Sequence, residues 1–308
     1  MIMNRIVALL ALVVVLYSCN NDDGGANVEP PLPLSEVLVD DEAKIQEYLK
    51  THYYNYTEFE SPAEDFDYKI ELKVIPEGNT EIVPLSEQVT SETVKVTGNT
   101  GDGDEDVSHT YYYLIAKEGA GGSPTYADST FVKYEGTLLN GDRFDGTDNY
   151  IWQYLPNTIR GYAQGFSQLQ AGGEVVVEDN GTYSITDPGV GMVVMPSGLG
   201  YFNNLQGGIP AYSPLVFTLE LGVFVKDTDY DNDGIPSILE DVNEDGNLNN
   251  DNTDGDVSNN SFLYNHRDSD DDNDGILTRD EIEIDENGVI TYPDTDGDGV
   301  VDYLDSDS

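Results

Sequence analysis

The chain is poor in positive charge. Its 308 residues hold 13 lysines and arginines against 60 acids, a formal net charge of −47. Such a surface repels polyphosphates and anionic headgroups, which excludes nucleic acid as a partner and electrostatic docking to a membrane. Cysteine is nearly absent: Cys19 stands alone, so no disulfide framework exists within the chain. The three histidines, His52, His109 and His266, lie far apart in no ligand spacing, which argues against an imidazole metal centre. There is no G-x-S-x-G elbow, and "GDGDED" (101–106) is too acidic to cradle phosphate.

Long apolar runs are also missing, with one exception at the start. Arg5 precedes "IVALLALVVVLY", which is too short to span a bilayer comfortably. Residues 1–18 read as a signal peptide. Ser18 and Cys19 follow, and the segment resembles a bacterial lipoprotein signal, in which cleavage leaves the cysteine as an acylated N-terminus. Such a lipid anchor attaches a chain to a membrane without crossing it. Residues 19–35 are rich in Asn, Asp, Gly and Pro and read as a tether. Asp22 and Asp23 resemble a surface-export signal, with a soluble linker as the alternative.

The expected organisation beyond the tether has three parts. Residues 36–107 form an N-terminal extension, with a helix over 36–54 and strands in "DYKIELKVI" and "ETVKVT"; whether it is a separate domain stays open. Residues 108–226 are strand-rich, with hairpin turns at Asn140-Gly141 and Asn180-Gly181 and one short helix in "IRGYAQGFSQLQ". Residues 227–308 carry 27 acids against Arg267 and Arg279, about −25, and few apolar side chains.

Four pieces of the middle part occur in a telling order: "STFVKYEGTLLNGDRFDGT", "TIRGYAQGFSQLQAGG", "VVMPSGLGYF" and "GGIPAYSPLVFTLEL". Together they resemble the FKBP-type peptidyl-prolyl cis-trans isomerases. The resemblance implies an α+β fold, a bent antiparallel sheet around one short helix with an apolar pocket between them. It assigns to the pocket Tyr134, Phe144 and Asp145 from the first piece, and Thr158, Ile159 and Tyr162 from the second. Tyr201, Ile209 and Phe217 come from the last two, and Trp152 from the intervening bulge. Tyr162 stands where the family has tryptophan, and Phe202 where glycine follows the loop tyrosine. An added hairpin in "EVVVEDNGTYSIT" is expected beside the pocket.

The chemistry needs no nucleophile. Amide resonance sets a rotation barrier of about 18–20 kcal/mol. A dry aromatic pocket lowers it by favouring the twisted, less polar amide, about tenfold in rate for every 1.4 kcal/mol. By the resemblance, the Tyr201 hydroxyl binds a substrate carbonyl, and Asp145 orders the tyrosines.

The C-terminal acids are spaced, not merely abundant. "DYDNDGIPSILE" (229–240), "DDDNDGILTRDE" (270–281) and "DTDGDGVVDYLD" (294–305) fit D-x-[DN]-x-[DN]-G-x5-[ED]. That pattern suits the six to eight oxygens calcium demands. Predicted ligands are Asp229, Asp231, Asp233 and Glu240; Asp270, Asp272, Asp274 and Glu281; Asp294, Asp296, Asp298, Asp302 and Asp305. "DVNEDGNLNNDN" (241–252) reads as a degraded copy. Asp268, Asp271 and Asp280 are left as surplus charge, and Ile276 and Leu277 as the local apolar anchor. A strand-like run leads into the first loop, so these are not paired EF hands. The region resembles thrombospondin type 3-like repeats, an irregular calcium-loop region with calcium as its core.

The function expected is a prolyl isomerase of the cell envelope, an outer-membrane lipoprotein on the periplasmic or surface side. It would act on proline-containing polypeptides, with structural calcium and no catalytic cofactor. The alternative is a non-catalytic docking component of an outer-membrane protein complex.

Overall fold

The computed structural model describes residues 31–99, 104–177, 179, 181–254 and 263–308. The signal peptide, Cys19, Asp22, Asp23 and most of the tether lie outside them, as does Asn180 of the second hairpin turn.

α1 (Leu34–Thr51) forms because Val37, Ile45, Tyr48 and Leu49 recur at helical spacing and are buried together. β1 (His52–Tyr54), α2 (Tyr56–Glu60) and β2 (Leu72–Val74) follow, with β1 and β2 paired antiparallel. The strand expected over "DYKIELKVI" shrinks to its last part, because Tyr68 sits at φ +56° and breaks the extended run. Next come β3 (Thr90–Asn99), β4 (Asp104–Lys117), β5 (Ser129–Leu138), β6 (Arg143–Tyr154) and α3 (Arg160–Ser167). β7 (Val175–Val177) and β8 (Tyr183–Ile185) make the added hairpin, and β9 (Gly189–Met195) and β10 (Leu215–Val225) complete the strand-rich part. Gly141, at φ +86°, makes the β5–β6 turn, its N–H reaching the Leu138 carbonyl at 2.9 Å.

Six strands form one antiparallel sheet in the order β3-β4-β9-β10-β5-β6. Alternation along the central strands splits their side chains between two cores. Val193, Met195, Phe217, Leu219 and Leu221 pack with Tyr162 and Phe166 of α3. Val190, Met192, Val194 and Val216 pack with Ile45, Tyr48 and Leu49 of α1. α3 lies close on the sheet through its glycines: a Cβ at Gly165 would stand 2.8 Å from Val193 Cγ1. The boundary expected between 107 and 108 therefore falls inside β4. Residues 36–107 supply an edge strand and cover the second sheet face, so they are an elaboration of the sheet.

From residue 227 the described residues form only short pieces: α4 (Thr278–Glu281), the pair β11 (Glu283–Ile284) and β12 (Ile290–Thr291), and single 3-10 turns. The few apolar side chains of the region form a small core. Ile235, Ile282 and Tyr303 are buried together, with Ile290, Tyr292, Val301 and Leu304 against them. Ile276, the expected anchor, is 47% exposed.

Candidate functional site

Four aromatic rings meet between α3 and the sheet. β5 brings Tyr134, β6 Phe144, α3 Tyr162 and β10 Phe217. The Tyr162 and Phe217 centroids are 5.0 Å apart, Phe144 and Phe217 5.5 Å, and Tyr134 and Tyr162 5.4 Å, all edge to face. Phe166, fully buried, backs Tyr162 at 4.9 Å. Gly136 leaves the room this needs: a Cβ there would come within 2.7 Å of both the Phe144 and Phe217 rings.

The polar ends are partnered. Tyr134 donates its hydroxyl to Asp145 Oδ2 at 2.8 Å, and Tyr162 donates to Gln153 Oε1 at 2.6 Å. Gln153 escaped the sequence reading because its partner comes from another element. Burial, then the Asp145 bond, pushes the Tyr134 hydroxyl up to about 12. Burial, then the charge of Asp145, raises Tyr201 as well. Both hydroxyls therefore remain hydrogen-bond donors at neutral pH.

Tyr201, Ile209 and Ile159 pack against the same core. The loop before Tyr201 is tied to α1. Asp41, with no exposed surface, accepts from the Ser197 N–H at 2.8 Å and from its hydroxyl at 2.5 Å. Phe202 adopts φ +48°, the left-handed backbone open to glycine, at a cost of about 1–2 kcal/mol. Its ring lies edge to face on Tyr212 at 5.2 Å.

Three expectations are corrected. Trp152 is not in the pocket. It pairs across the strands with Phe131, whose neighbour Val132 faces the core, so both rings lie on the opposite sheet face. The added hairpin lies on that far face too: Tyr183 reaches Phe131 at 5.9 Å. Thr158 gives its hydroxyl to the Leu155 carbonyl at 2.6 Å and lines a crevice with Leu248 and Asn249 instead.

In the acidic region the three expected loops share one geometry. The residue at position 9 donates its N–H to the carbonyl just before position 1: Ser237 to Thr228, Thr278 to Ser269, and Asp302 to Pro293, at 2.8, 3.1 and 2.8 Å. Gly234, Gly275 and Gly299 at position 6 have φ of +105°, +99° and +102°. The carboxylates at positions 1, 3 and 5 of each loop converge, with one oxygen from each within 4.8 Å of the others. Both oxygens of Asp231 and Glu240 are buried without a hydrogen-bond partner, and one oxygen each of Asp270, Asp272, Glu281 and Asp305 is likewise unpaired. Asp302 instead accepts from the Thr295 N–H and hydroxyl, both at 2.7 Å, and braces its loop. Burial first, then neighbouring carboxylates, raises Asp231 to about 8 and Glu240 to about 11. This arrangement is what hard cations bind.

The degraded copy keeps the turn but uses its acids differently. Asp241 Oδ2 accepts the Tyr126 hydroxyl at 2.7 Å, and the Asp245 carbonyl accepts from Arg160 at 2.7 Å. Asn249 donates to the Pro156 carbonyl, and Tyr154 lies stacked on Tyr230 at 4.1 Å. The acidic region thus rests on the chain segment that leads into α3.

No family model matches the chain. Among curated proteins it is similar to the FKBP-type peptidyl-prolyl cis-trans isomerase FkpA of Escherichia coli K12. The two are 29% identical over 112 residues, 35% of this chain and 36% of that protein. The FkpA of Buchnera aphidicola from Schizaphis graminum is 30% identical over 113 residues, 35% of this chain and 38% of that protein. The match thus spans little more than a third of these relatives' length. Among solved structures, Escherichia coli FkpA aligns at 20% identity with a TM-score of 0.33, over 62% of each chain. A Pseudomonas syringae peptidyl-prolyl isomerase aligns at 23% identity with a TM-score of 0.31, over 38% of this chain and 76% of that one. The chain has distant, partial homology to FKBP-type isomerase domains over that span, and its own fold is an open antiparallel sheet with short helices.

Proposed function

We propose that the chain is a peptidyl-prolyl cis-trans isomerase that acts on exported or envelope polypeptides at X-Pro bonds. The observation that carries this reading is the aromatic box of Tyr134, Phe144, Tyr162 and Phe217, beside a tyrosine hydroxyl held by Asp145. Such rings suit the edge-on binding of a proline ring, and in this reading the Tyr201 hydroxyl donates to the preceding carbonyl. The box removes water from the amide, which weakens its resonance and lowers the barrier. No proton changes hands. Asp145 orders Tyr134 and acts on the substrate only through it.

Calcium fits the acidic loops because the carboxylates at positions 1, 3 and 5 converge and several buried oxygens, among them both of Asp231 and both of Glu240, have no donor. Its role is structural, and affinities of about 10⁻⁴–10⁻³ M, usual for extracellular modules, suit an envelope compartment. Cys19 is the proposed lipid anchor of an outer-membrane lipoprotein. A second reading, a non-catalytic docking component of an outer-membrane complex, is favoured by one feature. Trp152, 55% exposed, and Tyr183 form an open aromatic patch on the far sheet face.

A proline-peptide isomerisation assay on the full chain separates the two. The enzyme reading expects acceleration over the uncatalysed rate and at least a tenfold loss in Phe144→Ala, about 1.4 kcal/mol of barrier. A wild-type rate at background, or one that Phe144→Ala leaves unchanged, sinks it and leaves the docking reading.

A further inference from the structure

Asp271 has no place in the D-x-D-x-D-G pattern, since it sits between ligand positions of its own loop. It is nevertheless 1% exposed. It stands with Asp233, 1% exposed, and Glu240, 0% exposed, and one carboxylate oxygen of each lies within 4.8 Å of the others. Asp233 and Glu240 belong to the first loop and Asp271 to the second. The cluster therefore joins two loops that are distant in sequence.

Its hydrogen bonding is incomplete on the inward side. Asp233 Oδ1 accepts the Ile235 N–H at 2.7 Å, which leaves Oδ2 without a partner. Asp271 Oδ2 accepts the Thr278 hydroxyl at 3.1 Å, which leaves Oδ1 without one. Both Glu240 oxygens are unpartnered. None of the ion pairs among the described residues reaches the three. A water molecule carries two protons and cannot satisfy four acceptor oxygens and neutralise three carboxylates. Buried carboxylates of one sign stay ionised only with a counter-charge among them, and otherwise take up protons. Ile235, two residues from Asp233, is buried in an apolar cluster with Ile282 and with Tyr303 of the third loop.

We propose that Asp233, Glu240 and Asp271 together ligate one hard divalent cation of the calcium class, which clasps the first loop to the second. The inference rests on the calcium reading of the loops. It adds an inter-loop ligand, Asp271, and gives the cation the work of holding the loops together. Asp271 is then an inner ligand and Thr278 its brace. Because Glu240 runs directly into Asp241, which holds Tyr126, the clasp also sits one residue from the contact with the sheet region.

The test is calorimetric titration of the full chain with calcium chloride, in wild type, Asp271→Asn, Thr278→Val and Asp280→Asn. Asp280 is exposed on the same loop. Asp271→Asn is expected to weaken one calcium site by at least about tenfold, the scale on which even outer partners of a metal act. Asp280→Asn leaves the isotherm unchanged, and Thr278→Val, which keeps the carboxylate but removes its brace, loses less than Asp271→Asn. An Asp271→Asn isotherm that overlays the wild type overturns the clasp while the calcium reading stands. So does equal loss in Asp271→Asn and Thr278→Val, which marks a merely structural aspartate. A wild type that takes up no calcium overturns both. Should Asp271→Asn not fold, anomalous diffraction from calcium-loaded wild-type crystals decides. A calcium about 2.3–2.6 Å from an Asp271 oxygen supports the clasp, and one ligated by the first loop alone overturns it.

Discussion

In β9 every side chain is buried, and all seven are glycine, valine or methionine. In the first acidic loop the buried side chains include Asp233 and Glu240 as well as Ile235. The sheet removes apolar area from water, a force that needs no partner ion and varies little with pH. The loops remove carboxylates from water, which is unfavourable until a counter-charge joins them. The difference teaches where each region's stability resides. The sheet carries its own, and under the calcium proposal the loops draw theirs in part from a bound cation.

The largest effect should come from taking the cation away. Chelator added to the calcium-loaded chain at neutral pH is expected to open residues 227–308 to protease while the six-stranded sheet stays protected. Mass spectrometry of the fragments checks this, and an unchanged digestion pattern breaks the comparison. A smaller effect, confined to the sheet, should follow from Phe166→Ala. Phe166 has no exposed surface and backs Tyr162. Its loss should cost about 3–5 kcal/mol in urea denaturation of the sheet. Calcium titration of the loops should be unaffected, and a shift there would show the regions fold as one.

The smallest effect concerns acid. Without metal, burial and then neighbouring carboxylates raise Asp231 to about 8 and Asp233 to about 6 in the folded chain, and burial foremost raises Asp271 to about 9. An unfolded aspartate has a pKa of about 3.9. Between those values the folded loops hold protons that the unfolded chain has released, so stability falls as pH rises. Metal-free protein should therefore gain partial protease resistance in 227–308 as pH drops from about 8 towards 4. Resistance that instead grows with pH would contradict the carboxylate account.

Much of this was legible along the chain. The helix over α1, the Asn140-Gly141 hairpin and the loop glycines follow from local periodicity and turn chemistry. The order of the four aromatic pieces carried the likeness to the isomerases. Trp152 misled because its face depends on strand register, which adjacent residues do not reveal. Gln153 and Asp41 were missed because each partners a residue on another element. Asp271 looked like surplus charge because its neighbours Asp233 and Glu240 come from a different loop.

The sequence by itself determined the acidic bias, the loop spacings and the aromatic residues available for a pocket, since these rest on residue type and local spacing. The tertiary structure decided which aromatics share a face, that α1 covers the second side of the sheet, and that two acidic loops meet at Asp233, Glu240 and Asp271. Those outcomes depend on strand register and on contacts between segments far apart in the chain. They are settled when buried surfaces fit together, and no stretch of residues contains that information alone.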